Sequence, residues 1–254
     1  MKRHLIIPDA QIKPGGDTRH IDWAAQAIVE YKPDVIVCIG DWWDFPSLNG
    51  HSEKGSEELE GARYKDDVEA GNEAFRRLVA PMEDKRARLV KQKAKAWNPR
   101  KVFITGNHEH RADRVAKNDP KWKGIIGSHN CETLDWERYP FLTAVEIDGI
   151  AYNHYFPNPY SGKPIGGTVV NRLNAIGKSF VQGHQQGFLY ASKQYPDHVK
   201  HGIVCGRFYL DNESYRPPDV QHSEWNGIVV LNEVRNGTYD LMPLSCSYLE
   251  RKYA

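Results

Sequence analysis

The most constraining feature of the sequence is a short apolar run that ends in an acidic residue. Residues 35–39 comprise four β-branched side chains and one cysteine, preceded by Pro33-Asp34 and followed by Gly40 and Asp41. Such a continuous run predicts a β-strand that is buried on both faces. Asp41 would follow its carboxyl end, where α/β sheets commonly bind ligands and metals. It could equally cap a helix or close a turn, because Gly-Asp pairs are frequent in turns.

Four further apolar runs lead to polar residues that can ligate metals. The runs and the residues that follow them are 5–7 with Asp9, 101–105 with Asn107 and His108, 147–152 with His154, and 179–182 with His184. Five strand-like runs therefore each deliver oxygen or nitrogen ligands at their carboxyl ends. This recurrence predicts a metal centre along one edge of a sheet.

In this order, the motifs resemble those of the calcineurin-like metallophosphoesterases. The matching stretches are Asp9-Ala10-Gln11, Gly40-Asp41-Trp42-Trp43-Asp44, Gly106-Asn107-His108-Glu109, His154 and Gly183-His184-Gln185-Gln186, against a family set of D-x-H, GD-x-x-D, GNH-[DE], H and GH-x-H. Each motif alone is weak, whereas five in the right order are strong. The compact spacing is similar to that of bacteriophage members. Gln11 and Gln186 depart from the family, which has histidines at these two positions.

The resemblance implies an α/β fold, a four-layer α/β/β/α sandwich of two mixed sheets flanked by helices. The residues themselves predict a βαβ unit over 5–39, with its helix over 18–30, and hence a parallel strand pair with a right-handed crossover. Hairpins are expected over 141–155 and 228–241, the latter turning on Asn236-Gly237. We expect the second sheet to be largely antiparallel, and the chain to form a single domain over 1–254.

Residues 45–98 replace a shorter connection in the family and are expected to form a helical insertion. The apolar spacing predicts a helix that starts near Ser56 and extends to Pro81, and a further helix towards Trp97. A helical hairpin or a long bent helix over the face near the metals would result. Its role as a lid, a substrate platform or a dimer contact stays open.

The distribution of charged and aromatic residues does not identify the binding partner. Lys and Arg number 34 against 33 Asp and Glu, a net charge of +1, so no overall basic field points to nucleic acid. Residues 53–60 are acidic, and 85–95 form a basic run that is either a solvated helix face or a phosphate-contact surface. Residues 118–140 are expected to form an irregular cap whose aromatic side chains belong to the core or stack on a base. These aromatic residues are Trp122, Trp136 and Tyr139.

Several classes of protein are disfavoured by the sequence. No apolar run approaches the roughly 20 residues that cross a bilayer, and residues 1–8 lack the pattern of a signal peptide. A cytoplasmic setting is therefore expected, the host cytoplasm if the gene is viral, with no membrane partner. Four cysteines without a CxxC pair disfavour a zinc knuckle or a disulfide framework. The histidines outside the motifs are interpreted as surface or loop residues: His4, His51, His198, His201 and His222.

Carried over position by position, the resemblance implies two metal sites that share Asp41. One would use Asp41, Asn107, His154 and His184, and the other Asp9, Gln11, Asp41 and Gln186. Two divalent ions can clamp a phosphoryl group and stabilise its attacking and leaving oxygens. His108 would protonate the leaving oxygen, and Arg111 would clamp phosphate. Asp44 would support Asn107 or His108 by a hydrogen bond, or cap a helix.

The two glutamines fall on the same implied metal. An amide oxygen is a weaker donor to transition metals than an imidazole nitrogen, so this site favours Mn²⁺ or Mg²⁺ over zinc or iron. Mn²⁺ is the expected ion at both sites, with Mg²⁺, Zn²⁺, Fe and Ni²⁺ as alternatives. The histidine-containing site should bind Mn²⁺ more tightly. If Gln11 and Gln186 do not ligate, one metal remains.

These residues predict a metal-dependent phosphoesterase, with a phosphodiesterase favoured and a nuclease included. Its substrate would be a phosphate diester, with nucleic acid and nucleotides among the candidates. The preference rests on the basic run at 85–95, the aromatic cap and the lack of a separate capping domain. One alternative is a phosphomonoesterase acting on nucleotides or phosphoproteins. The other alternative is a catalytically degenerate binding scaffold. The two glutamines in place of metal-binding histidines favour this interpretation, whereas the proton donor His108 argues against it. The sequence does not indicate the oligomeric state.

Overall fold

A computed structural model describes residues 1–50, 60–211 and 224–254 of the chain. Its helices are α1 (Arg19–Tyr31), α2 (Tyr64–Lys91), α3 (Asn107–Asn118), α4 (Val169–Ile176) and α5 (Cys246–Tyr253). Its strands are β1 (Lys2–Ile7), β2 (Val35–Cys38), β3 (Arg100–Ile104), β4 (Glu137–Tyr139), β5 (Val145–Ile147), β6 (Ile150–Asn153), β7 (Ser179–Gln182), β8 (Phe188–Gln194), β9 (Val199–Cys205), β10 (Gly227–Arg235) and β11 (Thr238–Ser245). The predicted helix start at Ser56, residues 53–59 of the acidic run, His51 and His222 lie outside the described residues.

The described strands form two mixed sheets. The first has the order β11-β10-β1-β2-β3-β4, in which β1 to β4 are parallel and β10 pairs antiparallel with both β1 and β11. The second has the order β5-β6-β7-β9-β8, with parallel pairs in the centre and an antiparallel pair at each edge. Helices cover both outer faces, α4 on the second sheet and the other four on the first. The predicted α/β sandwich of two mixed sheets is confirmed.

Strand β2 shows how the sequence produces these layers. Successive side chains of a strand point to opposite faces. Val35 and Val37 therefore enter the core between the sheets, whereas Ile36 and Cys38 pack under the helices. All four are buried, as predicted for a strand in the middle of a four-layer sandwich.

Helix α2 decides between the two arrangements predicted for residues 45–98, in favour of one long helix and against a helical hairpin. It is a single helix of 28 residues with Pro81 inside it, where the sequence interpretation ended one helix and began another. Proline removes one main-chain hydrogen bond and usually kinks or breaks a helix, but packing of Leu78, Val79 and Met82 on both sides of it keeps this segment helical. The helix packs beside α1 on the outer face of the first sheet. As the crossover between the parallel strands β2 and β3, it does not lie over the metal face as predicted, and only its N-terminal half contacts the loop that follows Asp41.

The C-terminal hairpin corrects the prediction of a largely antiparallel second sheet. Strands β10 and β11 turn on Asn236 and Gly237, with φ of 50° and 82°, as the sequence predicts. The hairpin nevertheless pairs with β1 and extends the first sheet. A hairpin sequence specifies its own turn, but the strand that it joins depends on contacts distant in the chain.

Several smaller elements differ from the sequence interpretation. Strands β4 and β8 and helix α5 were not predicted, because β4 is very short and β8 is an edge strand with mostly exposed side chains.

His4 was wrongly expected at the surface. It is fully buried in β1, where Nδ1 lies 2.7 Å from the Tyr152 hydroxyl and Nε2 lies 3.1 Å from Asp148 Oδ2. His198 is exposed as predicted, and His201 is half-buried in β9.

The remaining global features concern membranes and thiols. Within residues 1–50, 60–211 and 224–254, the helices are too short or too polar to span a bilayer. The four cysteines are free and buried. All four thiols belong to the hydrophobic cores of the sandwich.

Candidate metal centre

The parallel strands of both sheets end at one edge of the sandwich, and the predicted site residues meet there. Asp9, Asp41 and Asn107 follow β1, β2 and β3 of the first sheet, and His154 and His184 follow β6 and β7 of the second. His154 Nε2 lies 2.9 Å from Asn107 Oδ1 and 3.3 Å from Asp41 Oδ2. The main-chain N–H of His184 donates to the Asp9 carboxylate at 3.0 Å. The five strand ends that the sequence singled out therefore form one cluster.

Asp41, His154 and His184 form a group with the geometry of a metal site. One ligand atom from each residue lies within 4.8 Å of the other two. The Nδ1 atom of His154 donates to the Ile39 carbonyl oxygen at 3.0 Å, so Nε2 is the ring nitrogen that would ligate a metal. Nε2 faces the oxygens of Asp41 and Asn107. This mixed nitrogen and oxygen donor set fits a divalent transition metal.

The second predicted ligand set is all oxygen. Asp9 is fully buried. Oε1 of Gln186 is also buried and has no hydrogen-bond partner among the described residues. Gln11 is half-buried, and its main-chain N–H donates to the Asp41 carbonyl at 2.8 Å. A buried oxygen without a donor is costly, and a hard cation held by Asp9 and Gln186 would satisfy it.

The electrostatics of the cluster favour a bound cation. Burial raises the pKa of Asp9 to about 7. Burial also opposes ionisation of Asp41, but the charges of His108 and His154 outweigh it and hold the pKa of Asp41 well below its ordinary value. For His154, burial lowers the pKa, yet the neighbouring charge of Asp41 raises it to about 9. The field that retains a proton on His154 would equally stabilise a metal ion between these side chains.

His184 complements this arrangement. Burial, aided by the charge of His154, lowers the pKa of His184 to about 4. The imidazole is therefore neutral at physiological pH, with a lone pair available for a metal. Its ring lies 5.2 Å from that of His154 and 4.9 Å from that of Tyr155, measured between ring centroids.

Three predicted ligands have left-handed main-chain conformations. Gln11, Asp41 and His184 have φ of 43°, 50° and 66°. Residues other than glycine rarely adopt this conformation, which costs about 1 kcal/mol or more and clusters at functional sites. The main-chain N–H groups of Gln11 and His184 donate to the Asp41 carbonyl and the Asp9 carboxylate on neighbouring loops, and these bonds hold the strained turns in place. The strain orients the side chains towards the common edge.

Two motif glycines are required by close approach. A Cβ atom on Gly106 would lie 2.2 Å from Asp41 Oδ1, and one on Gly183 would lie 2.4 Å from Asp9 Oδ1. Any side chain at these positions would displace a carboxylate of the cluster. The glycines of the two motifs therefore make room for the acidic ligands.

Glu109 is a functional residue that the sequence interpretation did not assign. Its buried carboxylate accepts four main-chain hydrogen bonds: from Trp42 and Trp43 to Oε1 at 2.7 and 3.1 Å, and from Asp41 and Gly106 to Oε2 at 3.0 and 2.7 Å. It joins the loop after β2 to the start of α3 and so fixes the position of Asp41. The signal was present, because Glu109 lies three residues after the helix N-cap Gly106, as in a capping box.

His108 lies beside the ligand cluster, and Asp44 orients it. His108 Nδ1 is 2.8 Å from the Asp44 carbonyl oxygen and 3.0 Å from Asp44 Oδ1, while Nε2 is 3.8 Å from Asp41 Oδ2. Burial lowers the pKa of His108, but the charge of Asp41 and the hydrogen bond to Asp44 raise it to about 9. Nε2 therefore presents a proton towards the site. The predicted supporting position of Asp44 agrees with this geometry.

The side chain of Arg111, the predicted phosphate clamp, contacts the loop that follows β2. Its Nη1 donates to the carbonyl oxygens of Asp44 and Phe45, both at 3.3 Å. The guanidinium thus holds the loop that also orients His108. Contact with phosphate remains a prediction.

The structure places the basic run away from the site and one tryptophan of the predicted cap in the core. Helix α2 connects parallel strands, so its basic C-terminal end lies at the opposite edge of the sheet, where Trp97 Nε1 donates to the Pro33 carbonyl at 2.8 Å. The basic run therefore cannot contact a phosphate held by the metal ligands. Trp136 belongs to the core, 5.1 Å from the Phe75 ring between centroids, whereas Trp122 is partly exposed.

Comparisons with known proteins found similarity to solved structures at low sequence identity. No family model and no curated protein matches the chain. Among solved structures, it is similar to Yfce, a phosphoesterase from E. coli, with 11% identity over 94% of this chain and 98% of that chain and a TM-score of 0.42. It is also similar to a Vps29 single mutant from Entamoeba histolytica, with 9% identity over 95% and 98% of the two chains and a TM-score of 0.38. Similarity at this level assigns no activity, which has to be inferred from the site.

Proposed function

We propose that this protein is a metal-dependent phosphoesterase that prefers phosphodiesters. The observation that carries the proposal is a proton donor held beside a cluster of metal ligands: His108 Nε2 lies 3.8 Å from the Asp41 oxygen that also faces His154. Asp41, Asn107, His154 and His184 would hold one divalent ion, Mn²⁺ by preference. Asp9, Gln11, Gln186 and Asp41 would hold a second. Such ions polarise a phosphoryl group and stabilise the charge that develops on its oxygens.

The protein residues supply binding, orientation and a proton. His108 is fixed through Nδ1 by Asp44, so Nε2 can transfer its proton to the leaving oxygen. Glu109 holds the Asp41 loop in position through its four main-chain hydrogen bonds. A binding scaffold would have no need of a proton donor oriented in this way, so hydrolysis is favoured over the degenerate alternative.

The preference for diesters rests on charge and space. A phosphomonoester carries more negative charge than a diester and needs additional cationic groups. Arg111, the predicted clamp, already donates from Nη1 to two main-chain carbonyls, which leaves fewer of its N–H groups for a phosphate. Aromatic side chains lie next to the metal ligands, with Tyr155 against His184 and Phe141 against His154. This apolar surface suits a second ester group on the phosphate, and nucleotides or nucleic acid would provide one.

The test compares hydrolysis of bis-p-nitrophenyl phosphate and p-nitrophenyl phosphate with added Mn²⁺, using Asp41→Asn as the blank. We expect faster hydrolysis of the diester and loss of both activities in the blank, because Asp41 is shared by both predicted metal sites. Faster hydrolysis of the monoester would favour a phosphatase of nucleotides or phosphoproteins. Absence of both activities from a folded, metal-bound protein would contradict the proposal and favour a scaffold.

A further inference from the structure

We propose that a cavity between α3 and residues 138–141 binds a nucleoside group that is esterified to the phosphate at the metal centre. The proposal rests on the proposed function and narrows the substrate to nucleotide diesters. The cavity has a volume of 360 Å³, within the usual range of small-molecule sites. Its lining includes Thr105, His110, Asp113, Ser128, Arg138 and Phe141.

One wall of the cavity is a stacked aromatic pair. The rings of His110 and Phe141 lie 4.8 Å apart between centroids with an interplanar angle of 22°. His110 is exposed, so the pair presents a planar face that is open to a ligand. Nucleobases stack on such faces whatever their sequence, because every base has a π-face.

The same wall reaches the metal ligands. Phe141 lies 6.3 Å from the ring of His154 and 5.6 Å from that of Tyr155, measured between centroids. Tyr155 in turn contacts His184. Thr105, on the cavity side, is two residues from Asn107 in the metal cluster. A group joined to the metal-held phosphate by a short covalent link can therefore lie against this wall.

Polar groups around the cavity distinguish a base from a purely apolar ring or chain. Thr105 and Ser128 carry hydroxyls, Arg138 a guanidinium, and Asp113 a carboxylate whose Oδ1 accepts from the Ser128 N–H at 2.7 Å. Arg138 Nη1 donates to the Ser128 carbonyl at 2.8 Å, whereas its Nη2 has no hydrogen-bond partner in the described part of the chain. Donors and acceptors beside a stacking face match the polar edge of a nucleobase.

The test uses two diesters with the same scissile bond and leaving group. Thymidine 5′-(p-nitrophenyl phosphate) and methyl p-nitrophenyl phosphate differ only in the second ester group, and release of p-nitrophenolate is followed with Mn²⁺ present. We expect His110→Ala to raise the KM of the thymidine ester, relative to that of the methyl ester, by roughly 5- to 20-fold through loss of stacking. His110→Phe retains an aromatic ring and should keep the wild-type ratio of the two KM values. The control is His198→Ala, which removes an exposed histidine stacked on Tyr195 at 4.7 Å, outside the cavity.

A binding measurement separates this inference from the proposed function. Saturation-transfer NMR with thymidine 5′-monophosphate in EDTA should show transfer to the base protons in the wild type and in His198→Ala, and much less in His110→Ala. Hydrolysis of both esters with an unchanged KM ratio in His110→Ala would overturn the inference and leave the phosphodiesterase intact. If neither ester is hydrolysed, the proposed function fails, and the NMR result alone decides: a His110-dependent base signal supports the cavity, and its absence overturns it.

Discussion

At the residue scale, the site depends on a carboxylate that does not itself face the substrate. Both oxygens of Glu109 are fully used, each by two main-chain N–H groups. The carboxylate thereby holds the strained turn at Asp41, whose φ is 50°. The position of Asp41, the predicted shared metal ligand, therefore depends on a neighbour in α3 more than on its own strand.

Glu109→Gln should destabilise the protein although it preserves size. An amide has one acceptor oxygen, so in either orientation its NH₂ group would face two of the four N–H donors. Leaving two buried donors unsatisfied should lower the free energy of unfolding by about 3 kcal/mol. Urea denaturation measures this change. The control is Glu73→Gln, an exposed acid on α2 that should change stability by less than about 0.5 kcal/mol; equal effects of the two substitutions would contradict the role given to Glu109.

At the scale of elements, helix α2 supports the site from the outer layer. The indole N–H of Trp42 donates to the Gly71 carbonyl at 2.9 Å, and Trp43 packs against the same turn of the helix. These tryptophans follow Asp41 directly, so the helix and the metal loop are packed as one unit. Phe75 continues this contact with both indole rings.

Gly71→Ala should lower stability, contrary to helix propensity. In an exposed helix this change would be favourable by about 1 kcal/mol. Here the new Cβ would lie 1.9 Å from Trp43 Cδ1, so the helix must shift away from the loop. Overpacking of this kind typically costs about 1–3 kcal/mol. Guanidinium denaturation of Gly71→Ala, with exposed Arg88→Ala on the same helix as the control, measures it; a more stable Gly71→Ala protein would show that the contact is loose.

At the scale of the whole molecule, the candidate metal centre joins the two sheets. Asp41 follows a strand of the first sheet, whereas His154 and His184 follow strands of the second. A bound ion would link the two halves of the sandwich at their carboxyl edge. Ligand binding to the folded state alone raises the free energy of unfolding by mass action.

Mn²⁺ should therefore stabilise the protein against denaturant. At a concentration of 100 times Kd, the expected gain is about 2.7 kcal/mol over the protein in EDTA. His184→Ala removes one of the three clustered ligands and should lose most of this gain, while His198→Ala should retain it. The measurement is guanidinium denaturation with and without Mn²⁺. An equal gain in wild type and His184→Ala would place the stabilising ion elsewhere.

The sequence alone determined the elements that depend on local chemistry. Continuous β-branched runs specified the central strands, since only a buried strand accommodates such residues as Val35 and Ile36. Asn236 and Gly237 specified the turn between β10 and β11, because both residues readily adopt the left-handed conformation that it requires. The order of polar residues after these strands predicted which residues would share an edge. These features follow from periodicity and from the parallel direction of successive strands.

Only the tertiary structure decided how these elements meet. It placed the C-terminal hairpin on β1, the basic end of α2 away from the metal edge and His4 in the core, because each position depends on partners distant in sequence. It also showed that Glu109 accepts four main-chain hydrogen bonds and that Phe141 lies between a cavity and His154, a predicted metal ligand. Hydrogen bonding and stacking of this kind arise from three-dimensional proximity, which no local pattern of residues encodes.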